Sequence, residues 1–253
     1  MDGHYLGDHL VPKPKAQAAG PNTGGTSAQG HTRTAYEGIR RMLFHNEIVP
    51  GQKISYRDLS ERLGMSQTPV IQALKWLEFQ QLVRHEPNRG YYTAPIRLQE
   101  VEEIYDLRAL IELDLLAWSI KRISAEGLRQ LRQALDAHLK ASKEIYLYDR
   151  LQQDMTFHLT LAALAGRDLQ HNTLKNLFDL LYLKYGGKFL FSSSMDSADT
   201  DHLALFTCVE NGDLKGARQQ LAKHIQRVKQ HVIQGVEKMM HATRLYPGMK
   251  SHF

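Results

Sequence analysis

Residues 51–94, GQKISYRDLSERLGMSQTPVIQALKWLEFQQLVRHEPNRGYYTA, leave this chain few choices of local structure. Leu59 and Leu63 recur four apart, on one face of a helix over 56–63. Ser55 stands just ahead of it, where a side-chain oxygen caps free N–H groups. Gly64 ends the helix, since glycine takes the left-handed C′ conformation without a Cβ clash. Met65 and Ser66 complete a tight turn. Pro69 then falls in the first turn of a second helix over 67–81, where its missing N–H costs little. Val70, Ala73, Leu74, Leu77 and the Gln81-Leu82 pair trace the inner side. Gln67, Thr68, Ile71, Gln72 and Lys75 face the other way. Two helices joined by a short glycine turn form a helix-turn-helix, whose second helix enters the major groove N-terminus first. Residues 82–85 read as a strand, 86–90 as a turn with Asn88 and Gly90 where φ > 0 is needed, and 91–93 as the return strand. Arg89 at the tip of that hairpin suits a phosphate or minor-groove contact.

This stretch resembles the DNA-binding domain of the GntR superfamily of bacterial transcription regulators, over roughly residues 33–96. The resemblance implies a double-stranded DNA operator as partner. It implies Arg57, Ser66, Gln67, Thr68, Gln72, Lys75, Arg89 and Gly90 as the DNA-facing set. Family members carry arginine where this chain has Gln67 and Ile71. Glutamine pairs with adenine and arginine with guanine, so a different operator sequence is expected.

Length sets the outer limits. The 253 residues suffice for one large or two modest domains. A net charge of +5 permits nucleic-acid binding without demanding it. Cys208 is the single cysteine, which excludes an intrachain disulfide and fits a reducing cytoplasm. Charges interrupt VEEIYDLRALIELDLLAWSI every few residues, so no membrane span is expected. Residues 1–32 are rich in Gly, Pro, Ala, Thr and Gln and read as a disordered tail or leader without a signal peptide's apolar run. A helix over 33–46, with Ala35, Ile39, Met42 and Leu43 inward, underlies the winged domain at 33–96.

From Leu98 the periodicity is helical throughout. The first helix, 98–123, carries a stripe of Val101, Ile104, Leu107, Ile111, Leu115 and Trp118. Further helices follow at 124–142, 148–165, 169–191 (with a kink at Gly186-Gly187), 198–211 and 214–240, with a loop at 192–197. The fold expected is mainly α: a winged helix-turn-helix with a small β-hairpin, then a six-helix bundle over 97–241 and a tail at 242–253.

Asp154 and His158, in DMTFH, stand four apart and leave one helical face. They can chelate one ion or form a simple surface pair. His202 and His224 lie on two later helices, and His224 sits among Leu221, Ile225 and Val228. Each reads as a core histidine or as a ligand, and four such groups on three helices can converge.

The order DMTFHLTL, DHLALFTCVENGD, ARQQLAKHI is similar to the effector-binding FCD domain of the FadR branch of these regulators, over about 98–240. That resemblance implies a divalent metal held by Asp154, His158, His202 and His224. It also implies a homodimer whose operator binding answers a small carboxylate effector, as in a repressor. One carboxylate and three imidazoles suit Zn²⁺ first, and also Ni²⁺, Fe²⁺ or Mn²⁺. Arg108 matches a cavity-facing family position and can grip a carboxylate bidentately. A salt bridge to Asp106 or Glu112 on its own helix is the other reading. Tyr105, Lys184 and Ser193 are further lining candidates. Two alternatives remain: a sensor for which the metal is the signal, and a metal-dependent hydrolase. Against the hydrolase, the chain has no HExxH and no obvious Glu beside the ligands to act as general base.

Overall fold

A computed structural model describes residues 24–141, 147–184 and 196–245. The DNA-reading half follows the sequence closely. α1 (Gly24–Phe44) packs against α3 (Gln67–Phe79), and α2 (Tyr56–Leu63) precedes the tight turn. Ser55 caps α2 by accepting from the Asp58 N–H at 3.2 Å. Gly64 ends it at φ 64°, ψ 35°, in the left-handed region expected. Pro69, Val70, Ala73, Leu74 and Leu77 are all buried, so the inner side of α3 is the one the periodicity indicated. Gly38 lets α1 approach α2: a Cβ there would stand 2.6 Å from a Leu63 methyl.

The wing is a three-stranded antiparallel sheet rather than a bare hairpin. β1 (Lys53–Ile54), β2 (Val83–Glu86) and β3 (Gly90–Thr93) lie in the order β1-β3-β2, with Ile54 opposite Tyr91 and His85 opposite Tyr91. Two residues are too few for a periodic signal, so β1 is not legible locally.

α1 also departs from expectation. It begins at Gly24 rather than Arg33, reaching back into the stretch read as a disordered tail. Once the packed turns at Ala35 and Ile39 pin the helix, extending it costs one residue's freedom per added hydrogen bond. The Thr32 and Thr34 hydroxyls donate to the carbonyls of Ala28 and Gly30, so both fit within the helix.

The second half contains six described helices: α4 (Leu98–Arg122), α5 (Ala125–Ala141), α6 (Leu147–Ala163), α7 (Asp168–Asp179), α8 (Asp196–Glu210) and α9 (Leu214–Leu245). α9 continues past the expected boundary at 241. α7 passes into a single π-helical turn, Leu180–Lys184. The expected continuation to 191, the Gly186-Gly187 kink and Ser193 lie outside the described residues, as does the Lys184 side chain. Ser119 on α4 donates to the Leu161 carbonyl on α6 at 2.7 Å, tying two helices together through a small hydroxyl.

The stripe on α4 needs correction. Leu107 is 47% exposed and Leu110 70%, while Arg108 and Glu112 are buried at that level. The inward face thus includes an ion pair, which a hydrophobic count assigns to solvent.

The two halves meet at the π turn. Leu183 is buried within the winged-helix core and Leu180 packs against both cores. Just before the turn, Asp179 accepts two hydrogen bonds from Arg40 of α1, at 2.6 and 2.9 Å. Among the described residues, no helix is long and apolar enough to cross a membrane.

Leu74 is fully buried at the centre of the winged core. Leu74→Ala should cost about 2–5 kcal/mol in urea denaturation; a loss under about 0.5 kcal/mol, the scale of a surface change, would contradict this packing.

Candidate metal centre and nucleic-acid interface

Asp154 and His158 project from α6, His202 from α8 and His224 from α9. One potential donor atom from each lies within 4.8 Å of the others. The structure thus brings together all four side chains singled out in the sequence, and places them in the bundle interior.

The histidine tautomers follow from what stands behind them. His158 Nδ1 lies 2.7 Å from Glu112 Oε2, and His224 Nδ1 lies 3.2 Å from Asp201 Oδ2. A carboxylate only accepts, so each Nδ1 carries the proton. In neutral rings, both Nε2 atoms are then bare lone pairs. Those two lone pairs face each other at 3.3 Å. His202 Nε2 completes the group, 3.2 Å from His158 Nε2 and 3.4 Å from Asp154 Oδ1. Two acceptors cannot hydrogen-bond one another, so with both rings neutral the contact is favourable only with a proton or a metal ion between them. Three of these spacings, 3.2–3.4 Å, match the edges of a tetrahedron with bonds of about 2.0–2.1 Å, the range for Zn–N and Zn–O, while His158 Nε2 to Asp154 Oδ1 is wider at 3.9 Å. The donor set therefore fits a divalent ion.

Behind the donors stand two relays. Arg108 donates to Glu112 at 2.9 Å, and Glu112 backs His158. Arg227 pairs with Asp201, which backs His224. Such carboxylate–histidine pairs fix ring orientation and raise ligand basicity. Asp154 accepts from the Tyr182 hydroxyl at 2.9 Å.

Charge follows these contacts. Burial pushes the Glu112 carboxyl up, but Arg108 and His158 outweigh it and hold the group at about 2. Burial likewise opposes the ionised Asp154, and His158 and His202 reverse that, keeping it well below the usual carboxylate range. Burial, then repulsion from His158, drives His224 down to about 3. His202 is lowered by burial and then by His224. Burial, with Asp154 next, pushes the Tyr182 phenol up, so it remains a donor.

Of the effector candidates, Arg108 has its Nε on Glu112, so the salt-bridge reading holds in this state. Its guanidinium also lies 4.2 Å over the Phe178 ring and 5.2 Å over Tyr105. Tyr105 is buried beside it, and burial pushes its phenol up. The sequence does not single out Glu112, Asp201, Tyr182 or His138 as site residues, and Glu112 corrects the expectation of no obvious Glu beside the ligands: it stands against His158, with its oxygens engaged by His158 Nδ1 and Arg108. His138 on α5 is 1% exposed, its ring centroid 4.2 Å from that of His202, and its Nε2 lies 3.4 Å from Asp199 Oδ1 without the geometry of a hydrogen bond. Asp201 directly precedes His202, but its contact is with His224. Glu112 and His158 are 46 positions apart, and no local spacing joins them.

The DNA-facing candidates are exposed. Arg57, Ser66 and Gln67 line one surface depression at the turn between α2 and α3. Thr68, Gln72 and Lys75 stand exposed along α3. Arg57 leans on Glu61 at 3.3 Å, an exposed pair with little hold on it. Arg89 is exposed at the wing tip beside Gly90, whose φ of 95° permits the turn.

Comparison with known proteins decides the family. Residues 31–92 match "Bacterial regulatory proteins, gntR family" and residues 103–227 match "FCD domain". A regulator of Agrobacterium vitis, encoded in the TAR-I ttuE-ttuC′ intergenic region, is 30% identical over 61% of this chain and 91% of its own length. The chain belongs to the GntR family. This GntR protein is also 26% identical to the transcriptional repressor RspR of Escherichia coli K12, over 79% of this chain and 87% of RspR. In fold it is similar to E. coli McbR, with a TM-score of 0.71 at 19% identity, covering 81% of this chain and 97% of McbR. A GntR regulator from Rhodococcus sp. RHA1 gives 0.70 at 18% identity, covering 81% and 98%. The protein is thus a DNA-binding transcription regulator of the FCD-containing, FadR-type branch, not an enzyme.

The buried histidines predict how stability depends on pH. Unfolded, His224 takes a proton near 6.5; folded, near 3. Below 6.5 the unfolded state binds more protons, so stability falls as pH falls and levels off below about 3. Glu112 adds a loss of the same sign between 4.5 and about 2. For metal-free protein, the fall in Tm should therefore begin near pH 6.5, and His224→Asn should delay it. A Tm constant down to about pH 4.5 would contradict the buried neutral imidazole.

Proposed function

We propose that this regulator is a homodimeric repressor of the cytoplasm whose hold on its operator is set by a small carboxylate bound at a metal centre in the FCD bundle. The observation that carries the reading is the pair of imidazole lone pairs, His158 and His224 Nε2, directed at each other at 3.3 Å. Asp154, His158, His202 and His224 are the ligands in this reading, with Zn²⁺ the best fit and Ni²⁺, Fe²⁺ or Mn²⁺ also compatible. A divalent ion there supplies an electrophilic centre for an oxygen ligand.

The chain's own residues supply the rest. Arg108 and Tyr105 present charge and a phenol beside the site, and Lys184 remains a candidate from sequence alone. His138 joins them, because its Nδ1 is buried without a hydrogen bond and its Nε2 has only a 3.4 Å contact with Asp199 Oδ1. Leu107 and Leu110, exposed one turn apart on α4, support pairing with a second copy. Two reading heads then address a near-palindromic site: Arg57, Ser66, Gln67, Thr68, Gln72 and Lys75 approach the groove, while Arg89 and Gly90 approach the backbone.

A sensor for which the ion is the signal is the second reading. The buried donors and the carboxylates behind two of them favour a tightly held, permanent ion, and so favour the carboxylate sensor.

Two measurements test this. The double variant His158→Ala/His224→Ala should lose metal uptake by elemental analysis while wild type binds one ion per chain; stoichiometric metal in the double variant refutes the ligand set. An operator selected from random duplexes should bind at least roughly tenfold more weakly at 200 mM than at 50 mM salt, since each neutralised phosphate releases counterions. A flat salt response rules out the proposed phosphate contacts.

A further inference from the structure

We propose that the π-helical turn Leu180–Lys184 transmits the state of the metal centre to the DNA-reading domain, with Tyr182 as the positioning residue at its origin. The inference rests on the metal-centre reading above and adds the route by which that site acts.

Tyr182 donates its hydroxyl proton to Asp154 Oδ2 at 2.9 Å. The other oxygen of the same carboxylate, Oδ1, faces His202 Nε2 at 3.4 Å and His158 Nε2 at 3.9 Å. A carboxylate is rigid and planar, so a rotation that brings Oδ1 to a ligand position also moves Oδ2. The phenol bonded to it must follow or lose its partner. Burial makes losing that partner expensive, because neither group has water to turn to.

Tyr182 cannot follow alone. Leu181 before it is fully buried in the bundle core, and Leu183 after it is buried in the winged-helix core. Leu180 touches both. Consecutive residues of one turn are thus divided between two cores, and packed cores respond to displacement by stepping rather than stretching. Asp179, at the end of α7, is clamped on Arg40 of α1 by two charge-assisted hydrogen bonds. α1 in turn packs on α3, the groove-entering helix. The Tyr182 ring also stacks on Phe178 at 5.8 Å, and Phe178 carries the Arg108 guanidinium at 4.2 Å. The turn therefore touches the relay behind His158 as well as the Asp154 ligand. A π turn adds one residue per turn to an α-helix, and such turns concentrate at functional sites.

The test is hydrogen exchange by mass spectrometry on the full chain, with and without Zn²⁺, beside a measurement of bound zinc. In wild type, Zn²⁺ should slow exchange of residues 36–44 and 177–183 by about fivefold or more, the low end of ordinary coupling energies. Tyr182→Phe keeps the ring and its packing. It should bind zinc at the same stoichiometry and protect residues 154–161 and 221–227, yet leave 36–44 unchanged. Asp179→Asn should do the same from the other end. Wild type that binds zinc without slowing 36–44 overturns the proposal, as does either variant that binds zinc and still slows it. Wild type that takes up no zinc is a different failure: it removes the metal centre, and the inference with it. If Tyr182→Phe loses zinc, Asp179→Asn, which is remote from the ligands, decides the outcome alone.

Discussion

Two carboxylates settle the chemistry of this bundle. Glu112 and Asp201 each take the Nδ1 proton of one histidine, leaving His158 and His224 with bare Nε2 lone pairs at 3.3 Å. That contact is repulsive unless a positive charge lies between the rings. Burial of His224 disfavours a proton on that ring. The polar interior of the six helices, including the Arg108–Glu112 pair buried on α4, is arranged around this one requirement. The same carboxylates tie α4 to α6 through Glu112 and His158, and α8 to α9 through Asp201 and His224.

The DNA-reading half is a rigid module with its own core, and the sensing half is a cage with a polar centre. The connection between them is compact. One turn places Leu181 in one core and Leu183 in the other, and one ion pair, Arg40–Asp179, closes the seam. Two rigid bodies joined this way have few relative positions available. A change in the cage can therefore shift the DNA-reading half of the same chain, which touches none of the four donors.

Much of this was legible in the sequence. Gly64, Ser55 and Pro69 act through local backbone rules, and each does in the fold what those rules say. Asp154 and His158 share a face because helical spacing requires it. His202 and His224 were marked by residue type and by family resemblance, since nothing local shows that α8 and α9 bring them within reach of α6. What local pattern could not show is cross-helix pairing. Glu112 reads as a salt-bridge partner of Arg108, and nothing local shows that it also backs His158; Leu107 reads as core and is 47% exposed. The inward face of α4 carries Val101, Ile104 and Leu115 as expected, but at 108 and 112 it carries an ion pair in place of apolar side chains. Tyr182 and the π turn fall within an apolar run that reads as unbroken helix, and the bond to Asp154 spans 28 positions.

X-ray absorption at the metal edge of the purified, metal-loaded protein tests the central claim most directly. A cation set among Asp154, His158, His202 and His224 predicts a nitrogen and oxygen shell at about 2.0–2.1 Å, with outer-shell scattering from three imidazoles. A shell with sulfur, or with fewer than two imidazoles, would contradict the account.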